Sequence, residues 1–240
     1  MAPPTPPSVE AHGWRVVAAI GEGGHYPEPM PDHVPETTER VLYWDHVYQD
    51  SGTNAVSWYQ SEPAGSLELI ELLGVGPESG IVDIGGGASV LSDRLLARGY
   101  TDLTVLDLSE VALEAARARV GAGSTVTWLA QDVLTWEPTR TFTLWHDRAV
   151  FHFLSGREVE DYRNVLCRAI PSGGAVIIAT FAPDGPERCS GLPVTRYSSK
   201  ELMGILGAGF EMVAERREVH ETPNGGVQPF TWIAAQRTQA

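Results

Sequence analysis

Three acidic residues and a run of glycines are spaced so that they can act on one ligand. The turn Asp83-Ile84-Gly85-Gly86-Gly87-Ala88-Ser89 follows a short apolar run. Glycines there let the backbone come close to a ligand where a side chain would collide. Asp107, 24 positions after Asp83, ends a second apolar run. A carboxylate at such a strand end can accept two hydrogen bonds from the vicinal hydroxyls of a ribose. Gln131-Asp132 ends a third run, and Asp132 can accept from an exocyclic adenine amine. Singly, these acids are ordinary polar strand ends; in register with the turn they form a coherent nucleoside site. The spacing is not that of a dinucleotide fingerprint, because the third glycine of G-x-G-x-x-G would fall at Val90. No G-x-x-x-x-G-K-[ST] motif is present either, which argues against a nucleoside triphosphate.

A second cluster follows in Trp145-His146-Asp147-Arg148 and Ala149-Val150-Phe151-His152-Phe153. His146, Asp147 and His152 are candidate bases, and Arg148 can anchor an anionic group. Each has a plainer reading: His152 as a packed residue between Phe151 and Phe153, and Asp147–Arg148 as a structural ion pair. Trp44, Tyr48, Trp58 and Tyr59 bring rings that either hold a cation over their faces or pack a helix on the core. The connection from Ala182 to Tyr197 has no periodicity and reads as a lid, with Arg196 and Tyr197 as substrate contacts and Cys189 as a soft wall. Cys189 with His146 or His220 lacks any metal-ligand spacing, so no metal is expected.

These residues need a scaffold that brings strand ends together. Glu36 to Gln49 reads as a helix, and a second helix carries Leu67, Ile70 and Leu73 on its apolar face. Strands are expected at Ile81–Ile84, Leu103–Leu106, Val126–Ala130, Phe142–Trp145 and Ala175–Phe181. Helices are expected at Ser89–Arg98, at Glu110–Val120 with Ser109 as N-cap, and from capping boxes at Ser155-Gly-Arg-Glu158 and Ser198-Ser-Lys-Glu201. Two closing strands, Phe210–Arg217 and Phe230–Gln236, make an edge hairpin. Alternation of this kind predicts an α/β fold: a doubly wound, mostly parallel seven-stranded sheet, Rossmann-like, with an antiparallel hairpin at its C-terminal edge. Ligands of such sheets lie beyond the carboxyl ends of the strands at the switch in strand order. The expected organisation is a flexible proline-rich arm over residues 1–38, a helical lid segment over 39–75 and a sheet core over 80–240, the last two in one domain. Within the arm, Trp14–Ile20 reads as a short strand or an adhesive segment.

Composition narrows the function. Seventeen basic against 31 acidic side chains give a net charge of −14, which disfavours nucleic acid as a partner. No apolar run reaches the roughly 20 residues that span a bilayer, so no membrane partner is expected. Two distant cysteines match no disulfide or zinc pattern and point to a reducing, cytoplasmic setting.

The stretch from Trp44 to Arg237 resembles the class I S-adenosylmethionine-dependent methyltransferases. The matching elements are Val82-Asp83-Ile-Gly85-Gly-Gly87-Ala-Ser89, Asp107, Gln131-Asp132, the Pro171-Ser-Gly-Gly174 turn and the terminal hairpin. Ser89 departs from the glycine or other small residue usual in the family. The resemblance implies S-adenosylmethionine as cofactor and S-adenosylhomocysteine as product. It implies that Gly85, Gly86 and Gly87 meet the methionine part, that Asp83 fixes the turn or the amino group, that Asp107 binds ribose and Asp132 adenine. Leu108, Val133, Trp44, Tyr59 and His146 are further cofactor contacts on this reading. It also makes the 145–153 segment the place where substrate meets the methyl group, with Tyr48, Arg148, Arg196 and Tyr197 as substrate contacts. The Asp147-Arg148 pair with Tyr162 is more similar to the thiopurine and thiol methyltransferase branch than to the nucleic-acid branches. It departs from the Asp-Lys-Gly pattern of a lysine-methyltransferase branch. The expected activity is methyl transfer to S, N or O of a small-molecule acceptor by a monomer or homodimer. The alternatives are a protein lysine-type methyltransferase and a non-catalytic cofactor-binding module.

Overall fold

The computed structural model describes residues 37–238; residues 1–36, with Trp14–Ile20 and Glu36, lie outside the described residues, and Thr37 and Thr38 at the end of the expected proline-rich arm open the first helix. Two helices, α1 (Thr37–Ser51) and α2 (Ala64–Leu72), precede the sheet. The chain then alternates through β1 (Ile81–Ile84), α3 (Leu91–Ala97), β2 (Leu103–Asp107), α4 (Glu110–Val120) and β3 (Thr127–Ala130). It continues through β4 (Leu144–Arg148), a 3-10 turn (Phe151–Phe153), α5 (Arg157–Ala169) and β5 (Ala175–Phe181). A two-residue hairpin, β6 (Arg188–Cys189) with β7 (Leu192–Pro193), leads to α6 (Ser199–Leu206) and the long pair β8 (Phe210–Glu221) and β9 (Val227–Arg237).

Seven strands form one sheet in the order β3-β2-β1-β4-β5-β9-β8. The first five are parallel, and β9 runs antiparallel between β5 and β8. Strand order reverses where β1 lies between β2 and β4, so the crevice of this sheet opens above Ile84 and its neighbours. Side chains alternate across the sheet. Val176 and Ile178 of β5 pack under α5 and α6 with Tyr162, Leu166 and Leu202, whereas Ile177, Ala179 and Phe181 pack on the other face with Leu67, Ile70 and Leu95. Among the described residues no helix is long and apolar enough to cross a membrane.

The local signals work where they are complete. Ser109 accepts from Ala112 N–H at 3.1 Å and Gly121 at φ +94° ends α4, so that helix has the expected bounds. Ser198 and Glu201 form a full capping box at α6. At α5 the box is half made. Glu158 accepts from Ser155 N–H, but Gly156 at φ +52° puts the Ser155 carbonyl, not its hydroxyl, on Glu158 N–H. The fourth strand is displaced from the expected 142–145: Phe142 N–H goes to the Ala169 carbonyl, and β4 runs on through His146, Asp147 and Arg148. It can do so because each of these polar side chains finds a partner inside the fold. The expected lid contains the β6–β7 hairpin, whose Ser190 carbonyl accepts the Tyr43 hydroxyl of α1.

Ser109 also donates to Asp45 at 2.6 Å, tying α1 to the start of α4. Ser109→Ala removes both bonds and is expected to cost about 1–2 kcal/mol. Thermal denaturation should show this as a drop of a few degrees; an unchanged midpoint would mean the cap carries no weight.

Candidate functional site

The turn after β1 is built from positions that no side chain can occupy. Gly85 has φ +65°, and a Cβ there would stand 1.9 Å from Val150 Cγ2. A Cβ at Gly86 would lie 2.5 Å from Asp83 Oδ2, and one at Gly87 (φ +41°) 2.8 Å from both Asp107 Oδ2 and the Tyr48 hydroxyl. The backbone of the turn is therefore hemmed in by these side chains, and of its three glycines Gly85 and Gly86 line the adjoining pocket.

Asp83 and His146 face each other across the β1–β4 register. His146 Nδ1 lies 2.7 Å from Asp83 Oδ1, and its Nε2 lies 2.9 Å from Ser66 Oγ on α2. A carboxylate oxygen can only accept, so Nδ1 carries the hydrogen in this bond. Both ring nitrogens are thus engaged, and His146 works here as a brace for the Asp83 carboxylate. Asp107 at the end of β2 accepts Ser109 N–H at 2.8 Å through Oδ1, leaving Oδ2 towards Gly87 and Tyr48. Burial, with the charges of Asp83 and Asp45 adding to it against the Ser109 and Leu108 amides, pushes the Asp107 carboxyl up to about 7.

Asp83, His146 and Ser66 line a narrow pocket with a cavity of about 40 Å³, and Asp107 lies outside its lining, behind Gly87. The 53–60 loop, with Trp58, Tyr59 and Gln60, forms one wall; Asp83, Gly85, His146 and Arg148 form the other. That volume holds about three water molecules, so a ligand enters only as a wall of the pocket moves. Tyr48 and Tyr59 of the expected set reach this pocket.

Other expected site residues are placed elsewhere. Asp147 points to the opposite face of the sheet. Its Oδ2 accepts the Tyr162 hydroxyl at 2.6 Å, itself bonded by Trp145 Nε1 at 2.7 Å, and its Oδ1 accepts Val150 and Phe151 N–H at 3.1 and 3.3 Å. Burial raises Asp147 to about 6 against those three donors. It is a clamp on the turn that presses Val150 onto Gly85, not a base in the pocket. His152 is fully buried between Phe153 and Phe181, and its Nδ1 accepts Phe181 N–H at 3.2 Å; burial first, and the Arg148 charge next, hold it down at about 3. Asp132 is taken by α1: Oδ2 receives Thr37 at 2.9 Å and Arg40 at 2.5 Å, and Oδ1 receives Leu134 N–H. Its adenine role therefore requires those contacts to give way. Trp44 packs edge-on against Tyr43, Trp58 and Phe153. Val133 lies in the core, and Leu108 is half-buried outside the pocket lining. Arg196 bonds Gly185 and Glu187 of its own loop, and Tyr197 packs on Phe151, so neither reaches the pocket.

Ser66, Gln60 and Arg40 were not among the sequence candidates. Ser66 alone left a trace, as a small polar residue on the apolar face of α2, between Gly65 and Leu67.

Residues 81–174 match the family model described as a methyltransferase domain. The mouse eEF1A lysine and N-terminal methyltransferase is 30% identical over 139 residues, 56% of this chain, which spans only 19% of that protein's length. Among solved structures, a SAM-dependent methyltransferase from Anabaena variabilis superposes with a TM-score of 0.69 at 15% identity, covering 85% of this chain and 96% of that one. The Burkholderia thailandensis 1,6-didemethyltoxoflavin-N1-methyltransferase, solved with 1,6-didemethyltoxoflavin and S-adenosylhomocysteine, gives 0.63 at 21% identity, covering 88% and 93%. At these identities the structures establish the fold.

Three substitutions test the architecture. Gly85→Ala should abolish ligand binding at the turn and destabilise the fold, and Val150→Ala in the same chain should recover part of the stability by removing the colliding methyl. Equal melting points for the single and double variants would refute that contact. Asp147→Asn leaves an acceptor for the two amides but opposes an NH₂ to the Tyr162 hydroxyl, at a cost of about 1–3 kcal/mol. Calorimetry should show lower stability; unchanged stability with lost turnover would restore Asp147 as a catalytic group.

Proposed function

Because the chain carries a class I S-adenosylmethionine-dependent methyltransferase domain, matched over residues 81–174, we propose that it moves a methyl group from that cofactor to S, N or O of a small-molecule acceptor. The supporting observation is the donor and acceptor balance of the pocket. The glycine turn and the Asp83 carboxylate in the pocket lining, with the Asp107 carboxylate behind Gly87, offer acceptors and negative charge. An ammonium, two ribose hydroxyls and a sulfonium are the complementary set. When bound, the cofactor supplies a methyl carbon on positive sulfur with a good leaving group.

On this reading the chain's own residues orient and exclude water. Gly85–Gly87 admit the ligand to the backbone, Asp83 braced by His146 takes the ammonium, and Asp107 takes the ribose hydroxyls. The Trp58 and Tyr59 side of the pocket offers π faces to the cation. Orientation of this kind supplies a large share of such a reaction, up to roughly 7–11 kcal/mol. Among the described residues none of the three expected bases stands free in the pocket: His146 has both nitrogens engaged, Asp147 lies on the other face and His152 is sealed among aromatics. The acceptor atom is then one that arrives with an available lone pair or loses its proton to water.

A second reading, methylation of a protein lysine, rests on what the mouse relative is named for. Labelled S-adenosylmethionine incubated with cell extract separates the two. Label in the low-molecular-mass fraction supports the small acceptor, and label confined to protein supports the second reading.

The Asp107 carboxyl at about 7 gives a signed prediction. Its proton must leave before the carboxylate accepts two ribose hydroxyls, so S-adenosylhomocysteine should bind more tightly as pH rises through 7, by up to about tenfold per unit below it. Calorimetric titration between about pH 6 and pH 8 checks this. Asp107→Asn should bind weakly with a flat pH dependence, and a flat wild-type profile would refute the ribose assignment.

A further inference from the structure

Arg148 ends β4 in the pocket wall beside His146. Its Nη1 donates to the Trp58 carbonyl at 2.9 Å, and its guanidinium carbon lies 4.7 Å from the centre of the Phe230 ring. One bond fixes the direction of the fork and the ring fixes its plane. The other two nitrogens, Nε and Nη2, are closed to solvent and have no partner. They share one edge of the guanidinium, the edge that holds a carboxylate by two parallel N–H···O bonds. Among the described residues Arg148 makes no ion pair, whereas Arg40, Arg119 and Arg140 each have a carboxylate within 4 Å. The acidic side chain whose charge reaches it is Glu218, and Glu218 Oε1 instead receives Gln60 Nε2 at 3.3 Å.

Burial lowers Arg148 only to about 10, so it stays charged at neutral pH. A charged donor edge kept dry and unpaired is costly, and a ligand that supplies the missing acceptor recovers that cost on binding. The neighbouring His152 has its hydrogen on Nε2, because Nδ1 accepts Phe181 N–H, and that Nε2 is also buried without a partner. Arg148 in the pocket wall and His152 behind it thus offer N–H hydrogens, and Arg148 positive charge.

We propose that the small-molecule acceptor carries a carboxylate, gripped side-on by Nε–H and Nη2–H of Arg148 as the 53–60 loop lifts to admit it. This rests on the methyl-transfer reading and names its substrate class. The carboxylate is the handle and a different atom is methylated, since a carboxylate whose two oxygens each accept a charge-assisted bond has its lone pairs drawn away from the methyl carbon.

The test uses the full chain loaded with S-adenosylhomocysteine and a panel of small arylcarboxylates led by phenylacetate, each paired with its neutral amide. Binding is read by ligand-observed NMR and thermal shift. Wild type should prefer the acid at least about tenfold. Arg148→Gln should lose the preference, and Arg148→Lys, which keeps the charge but not the fork, should keep only part of it. S-adenosylhomocysteine binding by each variant reports that it is folded; where the glutamine variant fails this check, the lysine variant decides. Equal binding of acid and amide, no acid-dependent shift in a wild type that binds S-adenosylhomocysteine, or a preference undiminished in a folded variant would each overturn the proposal. A wild type that prefers the acid but does not bind S-adenosylhomocysteine would instead overturn the methyl-transfer reading and keep the anion site.

Discussion

The backbone of Gly85–Gly87 passes between Val150, the Asp83 carboxylate and the Asp107–Tyr48 pair, with room for no Cβ at any of the three positions. Each of these neighbours is held from a different part of the chain. Val150 is set by the Asp147 carboxylate, which gathers the 150 and 151 amides and spans to Tyr162 on α5, across a turn where Ala149 sits at φ +71°. Asp83 is set by His146 and, through it, by Ser66 on α2. Tyr48 belongs to α1, which Asp45 fastens to Ser109. The turn is therefore a meeting point for α1, α2, β4 and α5, and a shift in any of them reaches the ligand-facing backbone within one or two contacts.

Charge is sorted along the same pocket. At the glycine end, burial and mutual repulsion keep the Asp107 carboxyl high, and its compensation comes from amides rather than from a cation. In the pocket wall Arg148 is a buried cation with no ion pair among the described residues. Exposed arginines elsewhere are matched to carboxylates, as Arg94 is to Glu62 and Arg140 to Asp102. In the cavity wall, desolvation makes the unmatched charge of Arg148 expensive and a ligand of the opposite sign most effective.

Much of the scaffold was legible because local signals and burial agree. The N-cap Ser109 and the Gly121 stop bound α4, and the uninterrupted apolar run Ala175–Phe181 could only be a strand buried on both faces. The site was legible in part. The turn and its acids follow from strand ends, but the roles of His146, Asp147 and Arg148 depend on parity. Once β4 runs through all three, alternation sends residues 146 and 148 to one face and residue 147 to the other. An expected strand end at 145 left that parity out, and Asp147 was read as a base when it faces Tyr162. The His146–Ser66 and Arg40–Asp132 pairs join residues 80 and 92 positions apart and left no local trace.

Helix α1 is more than a cover over the nucleoside end. Four of its side chains touch groups that a nucleoside would use or lie beside: Arg40 and Thr37 hold Asp132, Asp45 holds Ser109, and the Tyr48 hydroxyl sits by Gly87 facing Asp107. Arg40 also reaches Glu158 at the start of α5 at 3.2 Å, so Asp132 is one partner in a three-member ion cluster. A ligand group that takes an Asp132 oxygen must share it with Arg40 or displace it. The affinity observed for any nucleoside here is then the difference between its own contacts and those of α1. Because Glu158 remains available to Arg40, the displaced guanidinium keeps a carboxylate partner, which lowers the cost of opening that end of the pocket.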